Sequence, residues 1–302
     1  MNIGIIGLGR MGSAIAHRLI QHKFNVWGYD PYIKKVEISG IHIASTITML
    51  AEQVQTVWLL IPAGQMVTDT ITHLSDLLPK ESTVIDAGNS HFSDALKHAE
   101  ILQKKNIQFL DCGTSGGIHG KENGFCLMIG GNKDVYKKIE TQLQAVAQEN
   151  GYAHVGPTST GHLVKMVHNG IEYGIMQAYA EGLSLLKTEI IQNHTLDLEK
   201  ITGLWSHGSI IRSWLLELTN AALKKHGQSL EHLSGMVESN GMGQWTVDRA
   251  EQKKVSVDVI KIALQKRYES VKNGGDYASK LVALMRNEFG GHRFFTTNND
   301  KA

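Results

Sequence analysis

Only two cysteines, Cys112 and Cys126, occur in the 302 residues, and no C-x-x-C pair is present. That excludes a disulfide framework and a thiolate metal site, and it points to a reducing, cytoplasmic setting with no bound metal. Prolines number four and no low-complexity tract occurs, so no linker is evident. No apolar run approaches the roughly 20 residues that a membrane-spanning helix needs. The N-terminus leads straight into a strand pattern, without a basic leader or a cleavage site. A net charge of +1 gives no electrostatic reason to expect nucleic acid or a membrane surface as partner. What is present is an apolar fraction of 42% and a charged fraction of 20%, ordinary for a soluble globular protein of two domains.

The first half alternates short apolar runs with amphipathic stretches. Strands are expected over 2–6, 24–28, 56–61, 83–86, 107–112, 125–130 and 153–155, with helices over 11–21, 65–77, 92–104 and 133–147 between them. This alternation predicts a mainly parallel, doubly wound sheet covered on both faces. Val57-Trp-Leu-Leu-Ile61 has the unbroken apolar character of a strand buried on both sides. Beyond Ser159 no further strand is expected and the periodicity turns helical, so a boundary is placed near the Gly156-Pro157 turn. A long helix from about Thr160 to about Leu186 is predicted as the spine of an all-helical second domain. The polar end of the chain, from Thr296, is expected to fray.

Gly7-Leu8-Gly9-Arg-Met11-Gly12 closes the first strand and opens the first helix. The first glycine allows the tight turn, the second lets a pyrophosphate approach the backbone, and the third lets helix and strand pack closely. The helix N-terminus then offers its N–H groups to the phosphates. Asp30 ends the second strand, where a carboxylate accepts from ribose hydroxyls and repels a 2′-phosphate. NAD is therefore expected over NADP. The alternative for Asp30 is a merely solvated side chain.

Two further loops sit on the sheet edge where ligands bind. Asn89, in Asp86-Ala-Gly-Asn89-Ser90, is either a contact to nicotinamide or substrate or, with Ser90, a helix cap. Ser115-Gly116-Gly117 is either an anion nest for a carboxylate or a merely tight loop. On the long helix, Lys165, His168, Asn169, Glu172 and Tyr173 fall at i, i+3, i+4, i+7 and i+8, positions normally filled by core apolar residues. The other face carries Met166, Val167, Ile171 and Ile175. An amine, an imidazole, an amide, a carboxyl and a phenol in one stripe predict the wall of a polar cavity rather than dry core. Lys165, its pKa lowered by burial, would act as acid and base. The blander readings are a snorkelling Lys165, a structural His168, and Glu172 as an ion-pair partner of Lys165.

These segments, together with Gly241-Met-Gly-Gln-Trp245-Thr246 and Arg286-Asn-Glu-Phe-Gly-Gly-His292, closely resemble the decarboxylating 6-phosphogluconate dehydrogenases, in their short NAD-preferring branch within the beta-hydroxyacid dehydrogenase superfamily. The resemblance runs from Met1 to about His292 and lacks the second, repeated helical half of the long form. It implies an α/β Rossmann-type NAD-binding domain over 1–158, followed by an all-α substrate and oligomerisation domain over 159–302. It implies Lys165 as general base and acid, and Glu172 as the acid that protonates the enediol left by decarboxylation. Ser115, Gly116 and Gly117 would hold the substrate carboxylate. Asn89, His168 and Asn169 would meet its hydroxyls, and Tyr173 and Arg267 its phosphate. Ile61, Pro62 and Ala63 would join Gly7, Leu8, Gly9, Met11, Gly12, Asp30 and Asn89 around the cofactor. Arg286 and His292 would reach a neighbouring subunit's site, in a homodimer or homotetramer. Two departures stand out. Asn240 and Gln244 replace lysines of the long form, and Asp30-Pro31 replaces its pair for a 2′-phosphate. The implied reaction yields ribulose 5-phosphate and carbon dioxide. Competing readings are a non-decarboxylating dehydrogenase of the 3-hydroxyisobutyrate type and a catalytically silent NAD-binding regulator.

Overall fold

The computed structural model describes residues 2–32, 38–239 and 241–297. The chain divides into two compact units between Met166 and Val167. This division lies beyond the Gly156-Pro157 turn, inside a long helix whose first turns pack with the sheet.

In the first unit, β1 (Asn2–Ile6), α1 (Arg10–Gln21), β2 (Asn25–Tyr29), β3 (Ile41–Ile43), α2 (Ile47–Gln53), β4 (Thr56–Leu59), α3 (Gln65–Leu77), β5 (Thr83–Asp86), α4 (Asp94–Gln103) and β6 (Gln108–Ser115) follow in turn. A 3-10 turn (Gly117–His119), α5 (Gly120–Asn123), β7 (Phe125–Gly131), α6 (Lys133–Lys138), α7 (Glu140–Val146) and β8 (Ala147–Gly156) complete it. The eight strands form one sheet in the order β3-β2-β1-β4-β5-β6-β7-β8, parallel except between β6 and β7. Its carboxyl-end crevice lies where the order reverses, beside β1 and β4.

Side chains alternate between two apolar layers, as strand geometry requires. Ile3, Ile5, Trp58 and Ile85 enter one layer, and Ile6, Val57, Leu59 and Val84 the other. Trp58 donates its indole N–H to Gln142 Oε1 at 3.3 Å, so the buried polar atom is satisfied. Arg18, buried at the end of α1, donates to the carbonyls of Ala145, Val146 and Ala147 and so ties that helix to the α7–β8 junction.

The second unit contains the rest of α8 (Thr160–Thr188), then β9 (Ile190–Ile191), β10 (His194–Thr195), α9 (Leu198–Trp205), α10 (Trp214–His226), α11 (Met242–Lys253), α12 (Asp258–Asn273) and α13 (Tyr277–Gly290). Met176, Leu183, Leu223, Leu281 and Leu284 anchor its main core. A smaller cluster joins Tyr173 to Val247, Ala263 and Leu264.

Several expectations shift. The second unit is not wholly helical, because β9 and β10 pair antiparallel. Gln192 and Asn193, between them, have φ of 51° and 63°, the two positive values of a tight hairpin turn. The helix expected over 133–147 breaks at Ile139 into α6 and α7. The C-terminal segment is not frayed throughout: Thr297 donates its N–H to His232 O at 3.1 Å and Thr296 bridges to Leu233. Val167, Ile171 and Ile175 face outward, 40%, 52% and 39% exposed, whereas Met166 is buried. No helix among the described residues is long and apolar enough to cross a membrane.

Candidate active site

The glycine turn is shaped by close approach. Gly7 has φ 93°, and a Cβ there would lie 2.5 Å from the Leu60 carbonyl oxygen. A Cβ on Gly12 would overlap the Gly7 carbonyl, so α1 seats directly on the turn. Gly9 is exposed with nothing within 4 Å of where its Cβ would be, leaving room for a ligand over the start of α1. No side chain caps that helix end. Asp30 is half-buried, and both its oxygens are aimed. Oδ2 accepts from Leu8 N–H at 2.8 Å and Oδ1 from Tyr32 N–H at 2.9 Å. It therefore braces the turn and is not a freely solvated side chain. Ile61 is half-buried, while Pro62 and Ala63 are exposed just after β4. Asn89 stands exposed after β5, and the cap of α4 falls instead at Ser93. An open concavity over Gly9, an uncapped helix start and an oriented carboxylate fit a dinucleotide.

The first turns of α8 are gripped by two strands. Asp86, the last residue of β5, and Asp111, midway along β6, are register partners, and both are fully buried. Asp111 accepts from the backbone N–H of Ser159 at 2.7 Å and of His162 at 2.9 Å, serving the helix's free N-terminal donors. Asp86 meets the buried His162 ring, Oδ2 to Nε2, at 3.3 Å. Their alignment misses that of a hydrogen bond, so the contact is an ion pair. Burial opposes both charges. Burial is the largest single influence on each, but their mutual attraction, helped by Ser90 and Gly88 at Asp86 and by Asp111 and Asp94 at His162, outweighs it, holding the Asp86 carboxyl below its ordinary pKa and the His162 imidazole above its own. Gly161 rests on the backbone carbonyls of Asp111 and Met128, and Gly113 lies against the Lys165 Cβ. Lys165 itself is buried, 7% exposed. Ser115 ends β6 half-buried, and Gly116 and Gly117 follow with φ of 131° and 59°.

Further along α8, His168 Nδ1 lies 3.2 Å from Asn169 Oδ1 and 3.9 Å from Glu172 Oε2. Asn169 is buried and Glu172 half-buried. The Arg267 guanidinium stacks on the Tyr173 ring, 3.2 Å from its centroid. Tyr173 is wedged from the other side by Gly243, where a Cβ would lie 2.6 Å from the ring. Its hydroxyl is 3.4 Å from Ser239 Oγ. Arg267 and Arg286 are both buried, 4% and 6% exposed, and Arg267 Nη2 has no hydrogen-bond partner among the described residues. Burial pushes the Arg267 pKa down to about 10, with Tyr173 and Glu172 opposing the shift and Arg286 adding to it. Burial likewise lowers Arg286, again opposed by Tyr173 and Glu172. Two buried guanidinium groups thus lie within electrostatic reach of one another and of Glu172, and one N–H arm has no acceptor among the described residues.

The description NAD binding domain of 6-phosphogluconate dehydrogenase matches residues 2–156, and the C-terminal domain of the same enzyme matches residues 161–283. The chain belongs to the 6-phosphogluconate dehydrogenase family. The NAD(+)-dependent, decarboxylating 6-phosphogluconate dehydrogenase of Haloferax volcanii is 37% identical over 299 residues, covering 97% of this chain and 98% of that one. The Plasmodium falciparum 6-phosphogluconate dehydrogenase structure superposes with a TM-score of 0.80 at 27% identity, covering 90% of this chain and 62% of that one. Mycobacterium tuberculosis 3-hydroxyisobutyrate dehydrogenase, with a TM-score of 0.74 at 17% identity over 94% of this chain and 99% of that one, shares the fold. The chain is thus a 6-phosphogluconate dehydrogenase-type oxidoreductase with a nicotinamide-cofactor domain.

Family resemblance sends Arg286 to a neighbouring subunit. In this chain its charge is felt by its own Arg267, and it feels its own Tyr173 and Glu172. His292 is half-buried and folds back on Gly290, while Asn287 donates to its carbonyl at 2.9 Å. Gln244, where long members of the 6-phosphogluconate dehydrogenase family carry lysine, is engaged by Asp248 at 2.6 Å and Tyr268 at 3.1 Å. Asn240 lies outside the described residues. Sequence reasoning missed Asp86, Asp111 and His162 as a set, and Gly113 and Ser239. The one sequence signal for the carboxylates was that each follows an apolar strand run and precedes a glycine-containing stretch.

Proposed function

We propose that the protein oxidises and decarboxylates 6-phosphogluconate, giving ribulose 5-phosphate and carbon dioxide, with NAD as hydride acceptor. The observation that supports this most is the Tyr173–Arg267–Arg286 cluster: two buried cations, one stacked on a phenol, with an N–H arm left idle. Guanidinium groups bind a phosphate bidentately, and each contact is charge-assisted. When bound, the nicotinamide ring supplies the hydride acceptor. Lys165 removes the proton from the hydroxyl β to the substrate carboxylate as hydride departs. The ketone so formed is β to the carboxylate, so carbon dioxide leaves into an enediolate that the Lys165 ammonium stabilises. Glu172, seven residues along and about 10 Å down the helix axis, protonates the enediol carbon. Ser115, Gly116 and Gly117 bind the carboxylate end, while Asn89, His168 and Asn169 orient hydroxyls. Asp30 selects NAD, since a second negative charge beside it would be repelled.

As part of the same proposal the enzyme is cytoplasmic and works as a homodimer or homotetramer. A second reading, a non-decarboxylating hydroxyacid dehydrogenase, draws on the shared fold with 3-hydroxyisobutyrate dehydrogenase. A small unphosphorylated hydroxyacid would give the Arg267 Nη2 arm no acceptor to meet, which disfavours it. The test is an assay of the purified protein with 6-phosphogluconate or gluconate and either cofactor, following reduced cofactor and carbon dioxide together. Equal yields of NADH and carbon dioxide are expected, with gluconate poorer by about a hundredfold or more. Reduced cofactor without carbon dioxide would favour the hydroxyacid reading. Tight NAD binding without turnover would favour a silent regulator.

A further inference from the structure

Two carboxylates placed side by side in dry protein repel each other, and each needs its own compensation. On these neighbouring strands, Asp111 is compensated by two backbone N–H groups at the start of α8, those of Ser159 and His162, and Asp86 by the His162 side chain. His162 stands three residues before Lys165, one helical turn away on the same face. Asp86 has a second task. Its Oδ1 accepts from the Gly88 N–H at 3.1 Å, which shapes the loop that presents Asn89. One buried ion pair therefore joins the helix turn below Lys165 to the loop carrying Asn89. The surroundings leave little slack, because Gly161 and Gly113 already place α8 against bare backbone.

We propose that His162 and Asp86 are positioning residues that hold the Lys165 amine and the Asn89 loop in one register. Neither touches substrate. The inference rests on Lys165 being the acid–base group proposed above. The charged groups facing His162 are Asp86 from β5, Asp111 from β6 and Asp94 from α4, with His98 of α4 also in electrostatic reach. Because the imidazole is raised, its stabilising contribution is complete below the ordinary histidine pKa of about 6.5 and is lost as pH rises through the raised value. The Asp86 contribution has the opposite sense. It is present above the ordinary carboxylate pKa of about 3.9 and is lost as pH falls through the lowered one. The pair therefore contributes most between the lowered carboxylate value and the raised imidazole value, a window that includes the ordinary histidine pKa.

The experiment compares wild type, His162→Gln, Asp86→Asn and the double variant, each checked for folding by thermal melting. His162→Gln is expected to lower kcat by about ten- to a hundredfold, the scale of a misplaced catalytic group, a larger change than any rise in KM from the loosened Asn89 loop. The double variant, in which two amides face one another without charge, is expected to recover kcat relative to either single change. A folded His162→Gln with unchanged kcat, or a double variant whose loss is the product of the two single losses, overturns the proposal. If His162→Gln does not fold, Asp86→Asn and its kcat-against-KM split carry the same judgement. Peptide-resolved labelling of Lys165 by an amine reagent adds a readout independent of turnover. Its rate rises several-fold in the single variants if the pair positions the amine, and stays at the wild-type value if it does not. A wild type inactive on 6-phosphogluconate defeats the functional reading, and the labelling result still decides the pair.

Discussion

Replacing Gly113 by alanine is a one-carbon change that the site should not absorb. The residue lies within β6 and needs no positive φ, so the backbone conformation suits alanine; the obstacle is space. A Cβ there would sit 2.6 Å from the Gly161 carbonyl oxygen and 3.3 Å from Lys165 Cγ, and would overlap Lys165 Cβ. Ordinary non-bonded separation is about 3.5–4.0 Å, so α8 must retreat by about 1 Å. Overpacking of this kind costs about 1–3 kcal/mol of stability. A misplacement of about 1 Å at a reacting group costs on the order of a hundredfold in rate. We expect Gly113→Ala to stay folded, with a lowered melting temperature, and to lose kcat by about that factor. KM for NAD should be unchanged, because Gly7 and Gly9 in the turn after β1 and Asp30 after β2 do not meet Gly113. The assay is initial-rate NADH formation from 6-phosphogluconate alongside a melting curve. A folded Gly113→Ala retaining more than half the wild-type kcat would refute the reasoning that β6 sets the position of Lys165.

Two more outcomes follow from the geometry. Arg267→Lys removes a planar group stacked on Tyr173 and replaces it with a point charge. KM for the phosphorylated substrate should rise by about tenfold or more, roughly 1.4 kcal/mol, with kcat nearly unchanged; an unaltered KM would remove Arg267 from the phosphate site. Asp30→Ala combined with Pro31→Arg strips the acceptor from Leu8 N–H and offers a cation to a 2′-phosphate. The ratio of kcat/KM for NADP over NAD should rise at least tenfold, and a wild type that already prefers NADP would void the reading of Asp30.

The parts of the fold legible in sequence were those whose signal is local. The glycine turn, the buried run at β4 and the long amphipathic α8 each carry their pattern within a few residues. What escaped depends on partners distant in sequence. β3 is three residues long with two exposed side chains, and it exists because Val26 to Gly28 pair with it. β8 begins at Ala147, earlier than expected: Ala147 pairs with Phe125 of β7, the exposed polar residues 148–150 fall in a register irregularity and carry no strand pattern, and pairing resumes at Tyr152. Ile139 breaks a helix without glycine or proline. At the site, the polar stripe of α8 was readable because helical spacing is short-range. The grip of Asp111 on His162 spans 51 positions, and nothing local in either residue announces it.

Because α8 runs without interruption from Thr160 to Thr188, the amine at Lys165 and the carboxyl at Glu172 are calibrated by a ruler made of main-chain hydrogen bonds. No point substitution elsewhere resets their separation, whereas one inserted residue between them would swing the carboxyl about 100° around the axis. In the proposed reaction the base and the acid are therefore spaced in whole residues of one helix.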